Sequence, residues 1–205
     1  NGGDGSLGFA INGAASFDAA GLSVASMGDL NGDGFDDLAV SSSVNIAVIF
    51  GKAEGFDAEF ELGSLGDIEG SETVSDGFLI SAGSSRLGFD LAAAGDVNGD
   101  GLADMIAGAI TENTNGSRAG AAYTFFGQNF SGDIDFLGGT GDDTLSGSSA
   151  DEILIGGAGN DTLSGGGGND LLRGAHGDDR FIFTEGDGAD RIADFQAGAG
   201  SGDII

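Results

Sequence analysis

The chain has 205 residues, with 34 Asp and Glu against six Lys and Arg and a formal net charge of −28. So large a negative excess repels itself in a compact state unless cations neutralise part of it, and six scattered basic residues cannot form the stripe that nucleic-acid phosphates require. Cysteine is absent, which excludes disulfides and thiolate metal sites and leaves oxygen donors for hard cations such as calcium; no apolar run reaches the length of a membrane span.

The N-terminus shows neither a basic region nor an initiating Met, and it reads as a mature piece or an excised fragment. Glycine supplies 43 residues and proline none, so the organisation depends on whether the glycines repeat in register. In the first half they do so at long range. "GDLNGDGFDDLAV" (28–40) returns as "GDVNGDGLADMIA" (95–107), an offset of 67 residues that also relates 20–24 to 87–91. Each acidic loop leads into an apolar run, Leu38–Val40 or Met105–Ala107, and then into a second one, Val44–Phe50 or Ala121–Phe126. Short runs of β-branched and aromatic residues bounded by glycine or serine predict strands, and no helical stripe competes with them. Each unit is expected to be a small antiparallel sheet of the kind that repeats in propellers.

Within the first loop Asp29, Asn31, Asp33 and Asp37 stand at positions 1, 3, 5 and 9, with Gly34 at the turn and the carbonyl of Phe35 following it. The second loop repeats the pattern with Asp96, Asn98, Asp100, the carbonyl of Leu102, and Asp104. Alternate oxygens on a tightly turning backbone suit a calcium ion, which accepts about six to eight of them, better than magnesium with its small octahedron. The same residues also favour metal-free Asx turns, a reading that two matched copies weaken. Val40 and Ala107 occupy the twelfth positions, where an EF-hand carries its bidentate Glu and a dockerin module an acid.

"LSVASMGDLNGDGFDDLAV" and "GFDLAAAGDVNGDGLADMIAGA" resemble FG-GAP repeats, the blades of integrin-α-type β-propellers, over about residues 5–128. The resemblance implies that each loop joins two strands of a blade and holds calcium through the positions named above. A closed propeller of that family has about seven blades. Either further blades precede Asn1, or the two units pack in another way.

Beyond residue 130 the period falls to nine. From Gly138 the chain reads GGTGDDTLS, GSSADEILI, GGAGNDTLS, GGGGNDLLR and GAHGDDRFI, with Leu145, Leu154, Leu163, Leu172 and Phe181 in phase. Two positions before each lies a carboxylate, Asp143, Glu152, Asp161, Asp170 or Asp179, and strand geometry puts both on one face. Three-residue strands are therefore expected to alternate with six-residue turns. A disordered acidic tail would lack this phasing.

These units resemble the RTX, or haemolysin-type, calcium-binding repeat, G-G-x-G-x-D-x-U-x. The resemblance implies a parallel β-roll with two nonapeptides per turn and calcium held between turns by the carboxylates and turn carbonyls. Asp143, Asp161 and Asp179 would stack along one edge, and Glu152 with Asp170 along the other. Ser148, Ala150 and Glu152 depart from the pattern in the second unit. After Ile182 the glycines fade into a segment like those that close such rolls, and because position six there is Gly188 the carboxylate ladder is expected to end.

The expected architecture is all-β: antiparallel propeller-type blades over 1–128, a parallel β-roll over 129–182 and a C-terminal capping segment over 183–205. His176, the single histidine, reads as a solvated turn residue. No H-E-x-x-H, no cysteine nucleophile and no G-x-S-x-G elbow is present, so catalysis is not expected. The expected function is a secreted or cell-surface bacterial calcium-binding module, structural and adhesive, that folds on meeting calcium outside the cell and has a possible protein or glycan ligand. The RTX resemblance implies type I export. The alternative is the non-catalytic secretion and stabilising tail of a larger hydrolase.

Overall fold

A computed structural model describes residues 8–15, 18–43, 45–53, 55–67, 74–81, 87–112, 116–117, 119–130, 132–197 and 202–205. Along the chain lie β1 (Ala10–Asn12), β2 (Val24–Gly28), β3 (Asp37–Ser41), β4 (Asn45–Ile49), β5 (Glu59–Glu61), β6 (Gly77–Ser81), β7 (Leu87–Gly95), β8 (Asp104–Ala109) and β9 (Ala121–Phe125). Then come β10 (Phe136–Leu137), β11 (Thr144–Ser146), β12 (Ile153–Ala158), β13 (Thr162–Ser164), β14 (Leu171–His176), β15 (Arg180–Phe181) and β16 (Arg191–Ile192). Among the described residues there is no α-helix, only a 3-10 turn at Leu62–Ser64. The apolar runs of the sequence are the strands; Val44, at the start of one of them, lies outside the described residues. Two compact units divide the chain, one of Asn1–Leu30, Phe35–Gly95 and Ala103–Phe126, the other of Asn31–Gly34, Asp96–Leu102 and Gly127–Ile205.

In the first unit β2, β3, β4 and β6 form an antiparallel sheet in that order, and β7, β8 and β9 form a second. The 67-residue repeat is visible in the backbone as well. The β2–β3 register shifts between Ser26 and Gly28, and the β7–β8 register between Ala93 and Gly95, with Gly28 and Gly95 both at φ +75°. A bulge with glycine in the left-handed region turns the strand end, here releasing the chain into the acidic loop. One face of the first sheet packs Val40, Ala47 and Ile49 against Leu62 and Leu65, with Ile11 and Phe60 alongside. Gly88 approaches Ser41 and Ile46 so closely that a Cβ there would collide with both. Both faces of β3 and β4 are thereby covered, and they read as near-continuous apolar runs.

The second unit is parallel. β10, β12, β14 and β16 form one sheet and β11, β13 and β15 another. Leu145 pairs with Leu163, and Leu154 with Leu172, so the register advances by two nonapeptides per turn. The in-phase residues make the core: Leu154, Leu163, Leu172 and Phe181 are buried together, flanked by Phe136, Leu145 and Ile192. The expectation of three-residue strands holds for β11 and β13. On the other side β12 and β14 run six residues each. There Ile153 and Ile155 point away from Leu154 and pack outside with Leu102 and Ile134, so this strand is buried on both faces. Arg173 donates to the Gly101 carbonyl at 3.3 Å and Arg191 to the Gly34 carbonyl at 3.2 Å, tying the loop segments of this unit to the sheet. Past Ile182 the chain adds β16 beside β14, while Ile204 bridges to Arg180. Residues 198–201 of the expected cap lie outside the described residues.

Candidate metal centres

The nonapeptide turns bring their carboxylates into two stacks. Along one edge the backbone N–H of Asp143 donates to Asp161 Oδ1, that of Asp161 to Asp179 Oδ1, and that of Asp179 to Asp203 Oδ1, at 2.8, 2.8 and 3.0 Å. Along the other, Glu152 N–H donates to Asp170 Oδ1 at 2.9 Å and Asp170 N–H to Asp190 Oδ1 at 3.0 Å. One oxygen of each receiving carboxylate is therefore spent on the preceding turn. The second oxygens of Asp161 and Asp170 are buried and accept no hydrogen bond.

Glycine at the first position of each unit makes room for these groups. A Cβ on Gly156, Gly165 or Gly174 would fall on the carboxylate of Asp161, Asp170 or Asp179, five residues further on. Inside Asp143, Asp161 and Asp179 the exposure falls to 1% for the latter two. Burial pushes the Asp161 carboxyl up; the hydrogen bond from Asp143 opposes this, and the charges of Asp143 and Asp142 add to it. Asp170 and Asp179 are raised for the same first cause, with Asp190 and Glu152 repelling one and Asp161, Asp203 and Asp194 the other. Stacked, desolvated carboxylates with spare oxygens are a donor set of hard ligands, the chemistry that suits calcium.

Glu152 differs from its neighbours. Ser148 N–H donates to Glu152 Oε1 and Oε2 at 3.1 and 2.9 Å, and the Ser148 hydroxyl bonds Oε1 as well. The Gly-to-Ser departure in the second unit thus supplies a donor that occupies the longer carboxylate.

The ladder does not end at Asp179, contrary to the expectation drawn from Gly188. Asp190 and Asp203 extend the two edges, and Asp194 accepts from Gly174 and Ala175 at 3.1 and 2.8 Å. These residues lie 20 and 24 positions beyond their donors rather than 18, out of phase with the nonapeptide, and a periodic reading passes over them. A further pair of ladders was also not expected. Asn160 and Asp178 donate through their N–H groups to Asp142 Oδ1 and Asn160 Oδ1, and Asn169 N–H to Asp151 Oδ1, so fifth-position side chains bond forward where sixth-position ones bond backward. The signal was present as an unbroken run of Asp or Asn at that position.

The two acidic loops share one conformation: Gly28, Gly32 and Gly34 have φ of +75°, +81° and +89°, and Gly95, Gly99 and Gly101 have +75°, +77° and +84°. Asn31 Nδ2 donates to Asp33 Oδ2 at 2.9 Å, matched by Asn98 to Asp100 at 2.8 Å. Asp96 accepts from the N–H groups of Gly99, Asp100 and Gly101, and Leu102 N–H donates to Asp100 Oδ1 at 3.0 Å. Asp37 and Asp104 start their strands fully buried, and Asp37 accepts from Leu30 and Gly51 at 2.7 and 2.9 Å. Asp29 is buried, and its carbonyl accepts from Ala103 N–H at 3.0 Å, which brings the bases of the two loops together. Phe35 is half-buried, and the Leu102 side chain is buried with Ile134 and Ile155. Asx-type bonds hold the loops in shape, and among the described residues no three Asp, Glu or His side chains are gathered at one point. His176 is exposed, as expected, but it ends strand β14, paired with Ala158, rather than lying in a turn, and its Nε2 stands 3.4 Å from Asp96 Oδ2.

The family model of the FG-GAP repeat matches residues 20–49 and 88–125, and that of the RTX calcium-binding nonapeptide repeat matches 135–163, 146–181 and 155–192. The chain is a calcium-binding repeat module. The FG-GAP matches cover β2–β4 and β7–β9 of the two antiparallel sheets, and the RTX matches cover the parallel strands β10–β16. No curated protein matches it. RTX and FG-GAP repeats typically occur in extracellular or secreted proteins, and among the described residues no helix is long and apolar enough to cross a membrane. When bound, calcium supplies positive charge shared among oxygens. In the RTX roll Asp143, Glu152, Asp161, Asp170 and Asp179 would hold it.

Proposed function

We propose that this chain is a structural and adhesive module of a secreted bacterial protein, and that its RTX roll folds only when calcium is abundant. The observation that carries this reading is the pair of buried, unpartnered oxygens on Asp161 and Asp170 within ladders of like charge. A carboxylate removed from water without a counter-charge is strongly disfavoured, and the small core of the roll does little to offset several of them. Metal binding is then folding energy. In a calcium-poor cytoplasm the roll stays open and suits type I export. Outside, sites with dissociation constants on the order of 0.1 to 1 mM fill and close it.

The module acts without catalysis: its carboxylate pairs lie within repeats whose spacing explains them as ligands or their neighbours. The FG-GAP sheets are the part that would meet a protein or glycan on a cell surface or matrix. The test is circular dichroism with residue-resolved hydrogen exchange on the intact chain, in chelator and in calcium. Loss of protection at residues 138–192 in chelator, restored by calcium, is the expected result; equal protection in both would overturn the reading. Calcium-dependent binding of the chain to cells or matrix tests the adhesive part.

A further inference from the structure

The FG-GAP unit builds one sheet twice but finishes it only once. β2, β3 and β4 correspond to β7, β8 and β9 through the repeated loop and bulge. In the first copy the outer edge of β4 is paired by β6, antiparallel, from Asn45–Ser81 to Ile49–Gly77. The edge of β6 is covered in turn, for Leu79 N–H donates to the Gly66 carbonyl at 2.8 Å and Asp67 bridges to Leu79. β7 also has a lateral partner, since Leu91 N–H donates to Ser23 Oγ at 3.1 Å. β9 closes the second sheet with no further strand, and among the described residues none pairs with its outer edge.

The burial differs accordingly. Ile46–Ile49 of β4 are buried, whereas Ala121–Thr124 of β9 are exposed, and Tyr123 and the following Phe126 are exposed at 39% and 52%. Natural sheets guard such an edge with Lys, Pro or a bulge. This strand carries none of its own: residues 119–132 hold no charged side chain in a chain of net charge −28, although the Glu112 carboxylate accepts from the Tyr123 hydroxyl at 3.3 Å. Two copies of so acidic a protein repel over most of their surface, and a strand without charges of its own is where they can meet. The edge is also self-complementary, because a strand can pair antiparallel with itself around a twofold axis, and Ala121, Ala122 and Thr124 are small enough to allow the approach.

We propose that β9 pairs with β9 of a second copy, antiparallel across a twofold axis, so that two three-stranded sheets become one of six. The partner takes the place that β6 fills beside β4.

The experiment is light scattering on the intact chain in excess calcium, from about 1 µM to about 1 mM, the range of weak transient association. Hydrogen exchange is followed in parallel. The expected result is a mass rising toward that of two chains, with β9 amides gaining protection as concentration rises, and a Thr124→Lys variant that stays at the mass of one chain with an unchanged circular dichroism spectrum. A single-chain mass across the range, a mass growing beyond two chains, or a folded T124K variant that dimerises as before would each overturn it. Should T124K fail to fold, β9 exchange in the unsubstituted chain decides: protection that does not change with concentration overturns the proposal.

Discussion

The backbone N–H of Asp161 donates to Oδ1 of Asp179 at 2.8 Å, one turn further along the roll. The bond does two things at once. It fixes the stacking register through a buried hydrogen bond, and it brings two negative side chains into adjoining turns, where burial first and then the Asp161 charge push the Asp179 carboxyl up. Register and repulsion therefore come from the same residue.

Those two contributions separate by substitution. Asp179→Asn keeps an oxygen that accepts from Asp161 and removes the charge, so in chelator its thermal midpoint is expected above that of the unsubstituted chain, with weaker calcium binding in calorimetry. Asp179→Ala leaves the buried Asp161 N–H without its partner, and a loss of about 1–3 kcal/mol is expected in calcium. Equal midpoints for the two variants in chelator would contradict this division.

The raised carboxyls of Asp161, Asp170 and Asp179 set the sign of the pH dependence. A value raised in the folded state means that folding takes up protons. This contribution is fully present below the unfolded value of about 3.9 and is lost as pH rises through the higher folded values. In chelator the unfolding midpoint of the roll is expected to fall as pH rises above about 4. Excess calcium opposes the trend, since metal and protons compete for the same oxygens. Melts followed by circular dichroism at stepped pH check it, and a flat profile in chelator would count against the buried ladder.

Gly165→Ala places a methyl on the Asp170 carboxylate. Neither group can retreat within the stacked turns, and the expected cost is about 1–3 kcal/mol together with weaker calcium binding at that edge. Gly141→Ala, in the same roll, likewise outside the left-handed region and with open space around it, is the control for an added methyl without a collision. Chemical denaturation of both variants in calcium would show whether the collision is what hurts the roll.

Leu163 is fully buried between its neighbours in the core of the roll. Leu163→Ala is expected to remove about 2–5 kcal/mol. Because the core is small, the variant is expected to need a higher calcium concentration to reach half of the β signal, which a calcium titration by circular dichroism measures.

The residues that were legible in advance are those whose periodicity carries the physics. Leu145, Leu154, Leu163, Leu172 and Phe181 recur every nine positions, and each enters the core because two nonapeptides make one turn. The paired loops were legible for the same reason, down to matching glycine dihedrals at six positions. Asp190 and Asp203 were hidden because they continue the ladders at intervals that no repeat announces. The nonapeptide period does not mark Ile153 and Ile155, on either side of Leu154, because their partners Leu102 and Ile134 lie outside the repeat.

Repetition by itself determined the all-β class, the change of period near residue 130 and the chemistry of oxygen ligands, because local spacing decides which side chains share a face; that the second half is a parallel roll was implied by its resemblance to RTX repeats. Only the tertiary structure decided which carboxylate oxygens are spent on backbone amides, which remain buried without a partner and which strand edge is left open. Those outcomes depend on what one turn or strand places against another, and segments far apart in the chain meet there without any period to predict them.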